Sequence, residues 1–326
     1  MSLSKKMKSF LPRSILLSTL LMPALASAQD YKVVSTLPAP AGGVAQALRV
    51  DTEARRLYAT RSGGVDVYNI DTGAVAGTIA IEGNVGGIEL APEIRRGYAS
   101  ATDGGSVVIF DLDTLATVKS VPSGGQEPRE LEYDASNARI YVSNAGDGRL
   151  VAIDAETGAS KGGVALGGRL RDASVDGRGK LFVVDEARDV LHVVDTATLS
   201  ARGSIPVWPG KAPAALVNDT RERRLYVSTG NGRMIIIDPD QGQLLANVTT
   251  KGSGAAGIAV QYGPARLARL FMPNVDGTLD VVRNDKLTPS LETSVPAISG
   301  GTAVAFDDKS GRLFVAGNDG IRVIAK

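Results

Sequence analysis

Residues 128–166 read PRELEYDASNARIYVSNAGDGRLVAIDAETGASKGGVAL, and this stretch decides the fold. It contains four short β-rich runs separated by three tight turns. Asp, Asn and Gly occupy the turns, where they satisfy the local backbone and tolerate left-handed geometry.

Versions of the stretch recur along the chain. Arg56-Leu57-Tyr58, Arg96-Gly97-Tyr98, Arg139-Ile140-Tyr141, Lys180-Leu181-Phe182, Arg224-Leu225-Tyr226, Arg269-Leu270-Phe271 and Arg312-Leu313-Phe314 place a basic residue and a spacer before an aromatic. The aromatics lie 40, 43, 41, 44, 45 and 43 residues apart. An acid follows at a near-constant distance, as Asp71, Asp111, Asp154, Asp195 and Asp238, with Asn284 in the sixth copy. Asp51, Asp134, Asp176, Asp219 and Asp307 precede the aromatic. A period of this length is that of propeller blades. The fifth copy shows the strands: Ala214–Val217, Arg224–Ser228, Met234–Ile237 and Leu244–Val248, with turns between. The central runs are apolar on both faces, as a sheet packed between two neighbours requires.

The sequence therefore predicts an all-β, seven-bladed β-propeller with four antiparallel strands per blade. After Phe314 only twelve residues remain, enough for a third strand at Ile321–Ile324 but not a fourth. The run Tyr31–Leu37 is expected to supply it, closing the ring and hiding a sheet edge.

Lys5, Lys6, Lys8 and Arg13, the apolar run Ile15–Ala26 and the small-residue site Ala26-Ser27-Ala28 form a signal-peptide pattern, predicted to be cleaved before Gln29. The apolar run is short of the roughly 20 residues that span a bilayer. Residues 1–28 are thus expected to be a leader and 29–326 a single propeller domain, periplasmic or secreted. The whole chain has 36 basic and 35 acidic residues. Without the leader's four cations the balance turns slightly acidic, so no global positive field collects nucleic acid. Any anion site must be local. There are no cysteines and one histidine. These exclude disulfides, a multi-His zinc centre, a Cys–His nucleophile and covalent c-type haem.

The R-L-Y-V-S and R-I-Y-V-S-N copies, each followed by a Gly turn, an apolar strand ending in Asp, and Thr-Gly, resemble the YVTN-repeat, YncE-like exported bacterial propellers. Gln126-Glu127-Pro128-Arg129-Glu130-Leu131 resembles that subgroup in particular. The resemblance implies an exported propeller, with weak single-stranded DNA binding as one activity associated with YncE-like members. Its motifs are packing and turn residues, so they speak to fold and not to function.

Function is sought where the repeat breaks. Aligning the first turn of each innermost strand gives Gln46, Gly87, Arg129, Arg171, Ala214, Gly257 and Thr302. The next column gives Ala47, Ile88, Glu130, Asp172, Ala215, Ile258 and Ala303. Charge gathers as Arg129-Glu130 and Arg171-Asp172, and the following loop carries the only tryptophan, in Trp208-Pro209-Gly210-Lys211. Arg129 and Arg171 are expected to hold an anionic group, Trp208 to stack on a ring, Lys211 to assist, and Glu130 and Asp172 to orient the arginines. The bland alternative makes the same residues structural ion pairs at the channel mouth. A monomeric, non-enzymatic binding or interaction module without cofactor or metal fits this pattern best. A lyase or hydrolase would need channel carboxylates or His192, which lies mid-strand in Val190–Val194 and reads as a packed residue. A nucleic-acid binder would need a continuous basic, aromatic-bearing groove. A scaffold for envelope proteins would show a large apolar patch. Gly252-Ser253-Gly254-Ala255-Ala256-Gly257 matches a dinucleotide fingerprint in letters only, because a strand and not a helix follows.

Overall fold

The computed structural model describes residues 31–41, 43–264, 267–285 and 288–326. The proposed leader, residues 1–28, lies outside them. In chain order the strands are β1 (Lys32–Leu37), then β2 (Leu48–Asp51), β3 (Arg56–Asn69), β4 (Val75–Ala91), β5 (Arg96–Ala101), β6 (Ser106–Asp111) and β7 (Thr117–Pro122). Next come β8 (Pro128–Asp134), β9 (Arg139–Asn144), β10 (Arg149–Asp154) and β11 (Ser160–Ala165), followed by β12 (Leu170–Val175), β13 (Lys180–Asp185), β14 (Val190–Asp195) and β15 (Ala201–Pro206). The last three groups are β16 (Pro213–Asp219), β17 (Arg224–Thr229), β18 (Arg233–Ile237) and β19 (Leu244–Thr249); β20 (Ala259–Tyr262), β21 (Ala268–Pro273), β22 (Thr278–Asn284) and β23 (Ser290–Pro296); and β24 (Ala303–Asp307), β25 (Arg312–Gly317) and β26 (Gly320–Ala325). All paired strands are antiparallel meanders.

These strands build a propeller, but the expected seven four-stranded blades are corrected. The described strands form six sheets, five of four strands and one of six, β2 through β7. The six-stranded sheet exists because β3 and β4 run through positions that the sequence reads as turns. The start of β3 pairs with β2 (Leu48↔Ala59), and its end pairs with β4 (Tyr68↔Val75). Ser62↔Asn84 keeps β3 and β4 joined, and the far end of β4 pairs with β5 (Ala91↔Arg96). Gly63, Gly64 and Gly83 take φ of 85°, 147° and 78°, so the backbone bends there without losing its ladder. A Cβ at Gly64 would meet the Ile79 carbonyl oxygen at 2.1 Å.

The ring closes through β1, which is the outer strand of the last sheet and pairs with β26 from Lys32↔Ala325 to Leu37↔Ile321. Leu37 is buried with Phe314, Ile321 and Val323, and it joins that sheet to β2 and β3. Similar clusters fill each gap between neighbouring sheets, for instance Phe182 and Val184 against Leu216, Leu225 and Val227. The seven repeated aromatics, Tyr58 through Phe314, are all 0% exposed. Burying such a side chain is worth about 1.5–3 kcal/mol, so this column supplies much of the stabilisation between sheets.

The repeated acids cap hairpins. Asp154 Oδ1 accepts from the amides of Glu156 and Thr157 at 3.1 and 2.7 Å, and Asp195 Oδ1 does the same for Ala197 and Thr198. In the first repeat Asn69 takes that role, and Asp71 instead pairs with Arg55 at 2.7 Å.

Candidate functional site

Four of the inner segments, in β4, β8, β12 and β16, begin with a bulge, and the bulge places the site. In β8, Pro128 faces Asn144 and Glu130 faces Ser143, so Arg129 is the extra residue. In β12 the register shifts between Leu170↔Asp185 and Ala173↔Val183, which puts Arg171 and Asp172 in the irregular turn of strand. Ala214 is the equivalent in β16, and Gly86 and Gly87 are in β4. A bulge re-aims side chains relative to the regular alternation. Four of the seven first-column residues thus occupy one device, filled by glycine or alanine in two strands and by arginine in two.

Two neighbouring spaces result. The narrow central channel, about 60 Å³, is lined by Gln46, Arg49, Glu130, Arg171 and Asp172 together with small residues of the remaining inner strands. The wider mouth cavity, about 730 Å³, is lined by Gln46, Ser62, Asn84, Thr102, Asp103, Glu127, Arg129 and Arg169, with Val44 and Val85 the larger apolar contributors. Gln46 belongs to both.

Arg129 is half-buried at this mouth. Its Nε is shielded from water without a hydrogen-bond partner, and its guanidinium makes no ion pair among the described residues. Its backbone is held firmly. Ser100 Oγ donates to the Arg129 carbonyl at 2.7 Å, and Thr102 Oγ1 donates to the Pro128 carbonyl at 3.0 Å. Gly87 lies so close that a Cβ there would sit 2.3 Å from the Arg129 carbonyl oxygen. Arg169, the second guanidinium of the mouth, pairs with Glu186 at 3.2 Å, and Arg171 reaches the same carboxylate only at 4.0 Å. The Arg169 amide donates to Asp185 Oδ1 at 3.1 Å.

Deeper in the channel the charges are coupled. Arg49 Nε donates to Glu89 Oε2 at 3.1 Å. Asp172 accepts from the amides of Ala173 at 2.9 Å and Leu216 at 2.8 Å, yet burial and then the Glu130 carboxylate push its pKa up to about 7. Glu132 accepts from the Val175 amide at 2.9 Å, and burial followed by the Glu89 charge holds it well above the usual carboxylate range. Arg49, Glu89 and Glu132 are the residues that reading only the first turn of each strand missed. Their signal is a charge at alternate positions of an otherwise apolar inner strand, as in Leu48-Arg49-Val50 and Ile88-Glu89-Leu90.

Of the residues singled out by sequence, Glu130, Arg171 and Asp172 meet in the channel and Arg129 lies at its mouth. Trp208 and Lys211 line neither space. Trp208 is 71% exposed on a loop tied down by Asn231, whose Nδ2 donates to the Pro209 carbonyl and whose Oδ1 accepts the Lys211 amide. Lys211 Nζ pairs with Asp189 at 2.9 Å. His192 is on β14, third from the channel, with Nε2 3.1 Å from the buried Asp185. Among the described residues no group of three or more His, Asp or Glu side chains is arranged to hold a metal ion.

A propeller with a polar mouth on one face is the class that fold and site define. A PQQ_2 family profile, described as outer membrane protein assembly factor BamB, matches residues 103–275 and, in an overlapping frame, 146–325. The chain belongs to this repeat family. Proteins named YncE and described as uncharacterized, from Salmonella typhi and from Escherichia coli K12, are each 26% identical over 155 residues. Those matches cover 44% of this chain and 43% of the relatives' own length. Among solved structures, a chain of Kuenenia stuttgartiensis hydrazine synthase superposes with a TM-score of 0.76 at 15% identity, covering 90% of this chain and 99% of that one. At that identity the likeness is one of fold.

Proposed function

We propose that this protein is an exported, non-enzymatic binding propeller that captures a small ligand by an anionic group at the channel mouth, with Arg129 as the anchor. The supporting observation is the state of Arg129: a guanidinium without an ion pair, one nitrogen already desolvated, on a braced backbone beside a 730 Å³ cavity. An unsatisfied buried donor costs about 1–3 kcal/mol, and a ligand oxyanion would recover it through a charge-assisted bond. Glu130, Arg171 and Asp172 shape the floor of the site. Export rests on the leader pattern of residues 1–28.

The test is a thermal-shift and calorimetric screen of small carboxylates, phosphates and sugar acids against the wild type and Arg129→Ala. Any ligand that binds the mouth should lose at least tenfold affinity in the variant. Hits that all survive Arg129→Ala would sink the reading. N-terminal sequencing of protein recovered from the envelope should begin at Gln29.

A further inference from the structure

We infer that the ligand of this mouth is a zwitterion of the peptide kind, its carboxylate on Arg129 and its ammonium on Glu127. The inference rests on the anion reading above and extends it with the opposite charge.

Glu127 lines the same cavity two residues before Arg129, and its exposed carboxylate makes no ion pair among the described residues. The two opposite charges share one short segment without neutralising each other. The segment is braced so that they stay apart. Glu127 adopts a left-handed backbone with φ of 51°, its carbonyl accepts the Ala145 amide at 2.9 Å, and the Gln126 carbonyl accepts the Gly146 amide at 3.0 Å. Gly146 packs against it, where a Cβ would lie 3.1 Å from Glu127 Cγ.

Asp103, in the same lining, adds to the negative side. Its Oδ2 accepts from the backbone and side-chain nitrogens of Asn84 at 3.0 and 2.9 Å, and no donor occupies Oδ1 among the described residues. The lining therefore offers two carboxylates, Glu127 and Asp103, and two guanidiniums, of which Arg169 is already paired with Glu186 and Arg129 is without an ion pair among the described residues. A simple anion would satisfy Arg129 and be repelled by the acids, whereas a zwitterion matches both. The same lining carries the neutral hydrogen-bonding groups of Gln46 and Ser62, suited to a peptide amide. The volume lies within the roughly 300–1,000 Å³ of small-molecule pockets, and with Val44 and Val85 the only aliphatic residues of the lining it favours small or polar side chains.

Trialanine, N-acetyl-trialanine and trialanine amide are the probes, titrated calorimetrically into the leaderless chain. Trialanine should bind, and each capped form should bind at least tenfold more weakly. In Glu127→Gln the free and acetylated peptides should bind alike, and in Arg129→Gln the free and amidated peptides should bind alike. Glu127 is exposed, so Glu127→Gln should keep the wild-type melting profile, and a cooperative melt checks that Arg129→Gln is folded. If acetylation leaves binding unchanged while amidation weakens it, the zwitterion assignment falls and the anion reading stands. If no peptide binds at millimolar concentration, the zwitterion assignment also falls, and the anion screen judges the anion reading separately.

Discussion

Ser100 Oγ lies 2.7 Å from the Gly87 amide and 2.7 Å from the Arg129 carbonyl, so one hydroxyl ties the bulge of β4 to the bulge of β8. Thr60 does the same one step earlier, accepting from the Ala47 amide at 2.9 Å and donating to the Gly86 carbonyl at 3.1 Å. The hydroxyl of the Y-A-T and Y-A-S copies therefore links neighbouring inner strands, whereas Ser143 and Ser228 of the Y-V-S copies are buried without a hydrogen-bond partner. Ser100→Ala would leave a buried amide and a carbonyl short of a partner. A loss of about 1–3 kcal/mol is expected in urea unfolding, with weaker binding at the mouth. Ser100→Thr should retain most of the stability, because threonine serves at position 60.

The channel makes stability depend on pH in a direction opposite to that of most carboxylates. The Asp172 pKa is about 7 in the fold, against about 3.9 in an unfolded chain. Below pH 4 the group is protonated in both states and has no effect. From pH 4 to 7 only the unfolded chain ionises, so stability falls as pH rises, and above 7 the loss is complete. Glu132 acts in the same direction. Asp172→Asn should therefore show a flatter melting temperature between pH 5 and 8 than the wild type. Parallel curves for the two proteins would contradict the assignment.

Ring closure depends on a six-residue strand. Leu37, 4% exposed, is the deepest side chain of β1. Leu37→Ala should cost about 2–5 kcal/mol, and removal of residues 31–37 should lower the melting temperature sharply by exposing the edge of β26. An unchanged melting temperature on removal would show that the ring holds without its closing strand.

Trp208 offers the contrasting case. With 71% of its surface in water it contributes little to packing. Trp208→Ala should alter stability by no more than about 0.5 kcal/mol and leave binding of any mouth ligand unchanged, since the indole lines neither cavity. A tenfold loss of affinity would return it to the site.

The aromatic column was legible in the sequence because every sheet has the same need, a large side chain driven into the gap beside its neighbour. Tyr58 and Phe314 sit 256 residues apart and have the same role. The number of sheets was not legible. Gly63-Gly64 and Gly83 have the letters of turns, and only the pairing of Ser62 with Asn84 reveals that the ladder continues through them. The site was partly legible. Arg129 and Arg171 stood out as arginines in a column of small residues, but whether a guanidinium finds a partner depends on Glu186, which belongs to a different turn. Trp208 stood out for its rarity, and rarity carries no information about which way a loop faces.

The pairing of Lys32 with Ala325 has a consequence for the topology of the chain itself. It brings the two ends of the folded domain to adjacent positions on one sheet edge. A short peptide could join them, and new termini could be cut at an exposed hairpin such as Gly104-Gly105. In such a circular permutant the closing strand would become an internal covalent hairpin, and the ring would no longer have a seam at that sheet.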